Sequence, residues 1–148
     1  MKKTLMMILL CLAMISFAFP RDIFEIARKG TPEEMKAAIE TGADIAARRD
    51  GGWTPLHDAA MENTNPEVIA TLIKAGADIA ARAEYGLTPL HTAAARNESP
   101  EVLLVLLKLG ANPKARDKDG KTPWDYIQEN EALKNTKAYW ALNDARYE

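Results

Sequence analysis

Apolar positions in this chain come in short sets at helical spacing, separated by polar turns. Leu56, Ala59 and Ala60 form one set, and after the turn "NTN" the residues Val68, Ile69, Leu72 and Ile73 form a second. Leu90, Ala93 and Ala94, followed by Val102, Leu103, Leu106 and Leu107, repeat the pair. Spacings of three and four residues put each set on one face of a helix, so the pattern predicts pairs of short helices facing a shared core. Thr54, Thr88 and Thr122 each precede a proline, which suits an N-cap followed by a first-turn residue with no amide to satisfy. Each second helix is predicted to open at Pro66 or Pro100 and to stop at Gly76 or Gly110, where a left-handed residue ends it at little steric cost.

These signals are periodic. "TPLHDAA" begins at Thr54, "TPLHTAA" at Thr88 and "TPWDYIQ" at Thr122, a constant step of 34 residues. Gly52, Gly86 and Gly120 keep the same step, as do Gly42, Gly76 and Gly110. A period of this length means stacked units, none of which buries its apolar face alone.

The TPLHxAA stretches, the recurring glycines and the hydrophobic second helices together resemble the ankyrin repeat family. The resemblance implies an all-α solenoid of about four helix-turn-helix units with β-turn or hairpin fingers, at about 21–49, 50–83, 84–117 and 118–148. The end units depart from the pattern as capping repeats do. Phe24 stands where His57 would be, Asp125 takes the same place in the last unit, and the tail predicts a final helix with Tyr139 and Trp140 covering the stack. The family's Asp three residues before the finger glycine is present only as Asp117, with Arg49 and Ala83 in its place, so its hydrogen bonds are expected only in the last finger.

The first 20 residues lie outside this pattern. Lys2 and Lys3, an apolar run from Leu5 to about Phe17, and small residues at Ser16 and Ala18 have the anatomy of a secretory signal. The run is shorter than the ~20 residues a spanning helix needs, so cleavage after Ala18 is expected, with residues 19–148 as the repeat domain and a periplasmic or secreted location. Cys11, the only cysteine, would go with it, leaving no disulfide or thiolate metal site. Loss of Lys2 and Lys3 leaves 17 basic residues against 21 acidic ones, a formal net charge of −4 that gives no encouragement to a nucleic-acid partner. No membrane contact is expected after cleavage, and a monomer is expected.

A search for chemistry finds little to assemble. His57 and His91 have no second ligand at metal-binding spacing, and the resemblance implies that they tie down the repeat turn. Ser99, the only serine after the leader, sits ahead of Pro100 as a helix cap, and no nucleophile motif or phosphate-binding loop is present. The expectation is therefore a protein without catalytic residues, metal or cofactor.

The resemblance implies instead a protein partner gripped by finger tips and by the concave face of the first helices. Matching positions give Arg48, Trp53, Arg82, Tyr85 and Arg116 on the fingers, and Asp58, Met61, Glu62, Thr92, Arg96 and Tyr126 on the helices. Trp, Tyr and Arg are the types that dominate binding hot spots, and Trp53 and Asp58 attract notice because the repeat does not dictate them. A narrower expectation within the same class is a dedicated inhibitor, immunity or protective partner of one exported enzyme.

Overall fold

The computed structural model describes residues 21–148, so the leader and its cleavage point lie outside the described residues. Eight α-helices occur among them, in four pairs. The first pair is α1 (Ile23–Lys29) and α2 (Pro32–Glu40), the second α3 (Pro55–Glu62) and α4 (Pro66–Lys74). The third is α5 (Pro89–Arg96) and α6 (Pro100–Lys108), the fourth α7 (Pro123–Ile127) and α8 (Lys137–Ala145). Inner helices α1, α3, α5 and α7 pack in chain order, and outer helices α2, α4, α6 and α8 form a second row behind them.

The helices begin where the sequence predicts. Thr54, Thr88 and Thr122 are the N-caps of α3, α5 and α7: Thr54 and Thr88 form reciprocal capping boxes with His57 and His91, and Thr122 donates from both its amide and its hydroxyl to Asp125. Asn65 caps α4 by accepting from Glu67 N–H. Ser99 holds the equivalent place before α6 but makes no cap bond; its hydroxyl donates to Glu101 instead, so the expected cap is missing there. Gly76, at φ +105°, ends α4 with amides of Gly76 and Ala77 bonded back to Ile73 and Leu72, a left-handed stop of the kind glycine alone adopts freely.

The core follows the small residues. Ala59, Ala60, Ala93 and Ala94 are fully buried, which lets the inner helices approach closely, while Val68, Ile69, Leu72, Val102, Leu103 and Leu106 fill the space between the rows. Full burial of one such leucine is worth roughly 1.5–3 kcal/mol.

One detail departs from the expected ends. Tyr139 packs on Trp124 with ring centres 4.8 Å apart, but Trp140 is 53% exposed and does not cover the stack, because it lies one residue round the helix from that contact. The fingers contain no strand among the described residues. The first two are 3-10 turns, Asp50–Gly52 and Glu84–Gly86, closed by amides from Arg49 to Trp53 and Gly52 to Arg49, and from Ala83 to Leu87 and Gly86 to Ala83, with Arg49 and Trp53 in an isolated antiparallel bridge.

Candidate functional site

Each sequence-predicted position has a definite place, and several turn out to hold the stack together. Arg48 donates from its guanidinium to the carbonyls of Gly52 (3.0 Å) and Arg82 (3.1 Å). Arg82 does the same to Gly86 (2.8 Å) and Arg116 (2.6 Å), and Arg116 closes its own turn at Gly120 (2.7 Å). The arginine ladder is therefore a row of stitches, each closing its own finger and, in the first two, tying it to the next. Charged donors make such bonds stronger than neutral ones.

The histidines stitch one layer deeper. His57 Nδ1 faces the Thr54 hydroxyl at 2.8 Å and takes the Thr54 amide, while Nε2 sits 3.0 Å from the Leu87 carbonyl in the following unit. His91 repeats this with Thr88 and the Lys121 carbonyl. A carbonyl can only accept, so Nε2 carries the proton, and Nδ1 receives the amide. Burial holds both imidazoles below their ordinary pKa, against the pull of the carbonyl bonds, and neutral rings suit this geometry.

A third row escaped the sequence reading. Asn63 donates to the Ala27 and Gly30 carbonyls, Asn97 to Ala60 and Asn63, and Asn130 to Ala94 and Asn97. The recurrence of Asn63 as Asn97, at the same 34-residue step, was the available signal. Each side-chain amide supplies donors to carbonyls at the end of the preceding unit's inner helix, where no further turn of helix provides them.

Two proposed recognition residues lie beneath the surface. Asp58 is fully buried, and its Oδ1 accepts from the Arg49 guanidinium, which is itself 42% exposed and stands 5.8 Å from the Phe24 ring centre and 5.9 Å from that of Trp53. Burial pushes the Asp58 carboxyl up from its ordinary value despite Arg49, and Oδ2 has no protein partner among the described residues. Thr92 is also buried, its hydroxyl donating to the Pro89 carbonyl at 2.8 Å. Neither turns a polar atom to the surface: the Thr92 hydroxyl is satisfied by backbone, and Asp58 is paired with the finger through Oδ1 alone.

The same position in α7 is Tyr126, whose hydroxyl donates to Asp117 at 2.6 Å. Asp117 also accepts from the amides of Asp119 and Lys121. Burial opposes ionisation of Asp117, but the phenol and the two amides outweigh it, and the carboxyl sits below its ordinary value. Burial and the Asp117 bond push Tyr126 up to about 12. The hydrogen bonds expected of that aspartate thus occur only in the last finger.

What remains open to a partner is an arc of fingers and concave helix surface. Tyr85 projects from the second finger tip, 60% exposed, on backbone at φ +60°, where the first finger carries Gly51 at φ +77°. Trp53 is half-buried, edge-on to His57 with ring centres 5.5 Å apart, and so both packs and faces outward. Met61 is half-buried, Glu62 and Arg96 are exposed, and Trp53, Met61, Arg96 and Tyr126 line one small concave slot. On the opposite side a larger groove of about 490 Å³ runs between α2 and α4, with Ile39, Ala70 and Val105 among its lining and Lys36, Glu40, Glu67 and Lys74 around them. No cluster of three or more potential metal ligands occurs among the described residues, and no helix there is long and apolar enough to cross a membrane.

A family model described as ankyrin repeats, in three copies, matches residues 23–117. No curated protein matches the chain.

Proposed function

We propose that this chain, which belongs to the ankyrin repeat family, is an exported, non-enzymatic module that binds another protein through its second finger and the concave face beside it. Ankyrin repeats are generally protein–protein interaction modules. The observation that carries the more specific reading is Tyr85. A left-handed backbone under a bulky non-glycine residue costs of order 1–3 kcal/mol and is kept where something compensates. Here the ring is 60% exposed while the backbone is tied to the third finger, the Lys118 amide donating to the Tyr85 carbonyl at 2.8 Å. Gly51 in the preceding finger has the relaxed solution to the same turn. An aromatic held out at a finger tip suits a partner-binding anchor.

Export rests on the leader-like residues 1–18 and on the single cysteine within them. The protein acts as a monomer with an outward-facing finger row. A photo-crosslinking residue at position 85, compared with one at Lys36 on the convex side, tests the binding face in the native host. A discrete crosslinked species from position 85 alone is expected, and equal or exclusive capture from position 36 overturns the assignment. A mature N-terminus at Phe19 by mass spectrometry is expected if the leader is removed; an intact Met1 on the exported protein refutes cleavage.

A further inference from the structure

The unequal sizes of the inner-helix residues leave a slot in the concave face. Its sides are the Trp53 and Tyr126 rings, and the small Thr92 lies between them. Met61, Leu87 and Ala95 complete walls that are almost wholly apolar around about 60 Å³, the share of roughly two waters in the liquid. That is room for the end of one branched aliphatic side chain. The middle unit creates the space because Ala83 and Thr92 occupy the finger and helix places filled by Arg49 and Asp58 before it and by Asp117 and Tyr126 after it.

The one formal charge in the lining is a cation, Arg96, while behind the Tyr126 wall Asp117 and Lys121 stand as opposite charges, the Lys121 Nζ 5.6 Å from the Tyr126 ring centre. Neither Arg96 nor Lys121 makes a salt bridge among the described residues. Glu62, the nearest acid in sequence to Met61 on α3, is outside the lining. An apolar socket with an unpaired cation at its mouth favours an apolar group carrying a carboxylate beside it.

We propose that this slot receives a leucine or isoleucine side chain of the partner protein, with a neighbouring aspartate or glutamate of the same segment paired to Arg96. The inference rests on the binding reading above and gives the partner's contact segment its chemistry.

Three capped pentapeptides, Gly-Glu-Leu-Glu-Gly, Gly-Glu-Ala-Glu-Gly and Gly-Lys-Leu-Lys-Gly, test it by NMR titration of the purified protein to about 5 mM, a range that reads weak single-anchor affinities. The glutamate–leucine peptide should move the Met61 methyl and Trp53 indole signals. Alanine for leucine should weaken it at least about fivefold, and lysine for glutamate at least about tenfold. Arg96→Glu, a change at an exposed site that leaves folding intact, should reverse the charge preference. Equal responses to all three peptides, no response, or shifts confined to Trp140 or the convex groove overturn the proposal. Failure of the peptides with crosslinking from position 85 retained removes the slot alone; loss of that crosslinking removes the binding reading whatever the peptides do.

Discussion

The first and last fingers solve one structural problem with opposite chemistry. In both, the residue at the finger base meets the inner-helix residue nine positions later. At the first finger the cation is on the loop and the acid in the helix, Arg49 to Asp58; at the last the acid is on the loop and a phenol in the helix, Asp117 to Tyr126. The difference decides where the charge is desolvated. Asp117 shares its charge among a hydroxyl and two loop amides, whereas Asp58 is fully buried with one cation and a free oxygen. A buried ion pair of this kind is poor evidence of net stabilisation but fragile when halved.

The largest expected effect comes from placing the last finger's loop residue in the first. Arg49→Asp sets a second carboxylate against Asp58 and should destabilise by about 4 kcal/mol, read from the denaturant midpoint. Adding Asp58→Tyr supplies the phenol, and Gly51 and Trp53 hold the chain positions of Asp119 and Lys121, whose amides Asp117 uses. The double variant should therefore recover more than half the loss, a coupling that only contacting residues show. No recovery would mean that the two fingers are not equivalent frames.

The milder counterpart is Tyr126→Phe, which removes one hydrogen bond to a carboxylate that keeps its amide donors. A loss of about 1.5 kcal/mol is expected. Asp117 should titrate higher in the variant, and an unchanged carboxyl titration would show that the phenol does not hold it down.

Most of the architecture could be read in the sequence because the period repeats features with local causes. Thr-Pro caps, glycine stops and apolar sets each follow from a few adjacent residues, and His57 and His91 gained their structural meaning from repetition. The site was less legible, for physical reasons. Asp58 has the character of a surface residue until Arg49, on a different element, is seen to neutralise it. Thr92 is likewise hidden by neighbours rather than by its own chemistry. The arginine ladder was visible, but its bonds run to backbone carbonyls, which carry no side-chain signature. Trp140 was misplaced because an aromatic in a last helix does not reveal which face that helix turns inward.

The two aspartates also give the comparison opposite pH signs. Asp58 has a folded pKa above its unfolded value, so its contribution is full below about 3.9 and lost as pH rises through the folded value. Asp117 has a depressed one, so its contribution is present above about 3.9 and lost as pH falls through the folded value. Carboxyl NMR titration should find them on opposite sides of that point. His57 and His91, with folded values below the ordinary 6.5, add a loss of stability as pH falls from there toward those values. Matching titrations for Asp58 and Asp117 would erase the claimed asymmetry.

Relief of the second finger is expected to be smaller but of opposite sign. Tyr85→Gly removes a left-handed aromatic, and although glycine adds entropy to the unfolded chain, a net gain of up to about 1 kcal/mol should remain. The same variant should lose partner crosslinking from a probe moved to the neighbouring Glu84. A stability loss would show that the ring supports the fold and is not held out for a partner.

The smallest effect should come from the middle finger, where the contact is absent on both sides. Ala83 is 8% exposed and faces the buried Thr92, whose hydroxyl is already committed to Pro89. Ala83→Asp would compete with the Glu84 carbonyl for the Leu87 amide and reach for that of Tyr85, but would meet neither a cation nor a phenol. Desolvation of the new carboxylate should offset the amide bonds to within about 0.5 kcal/mol. A gain above about 1 kcal/mol would mean that loop amides alone hold this aspartate, and that the helix residue is incidental. If the effect is near zero, adding Thr92→Tyr should convert it to a gain while filling the slot between Trp53 and Tyr126. Stability and recognition would then be traded at a single position, because the middle unit stays open where its neighbours are closed.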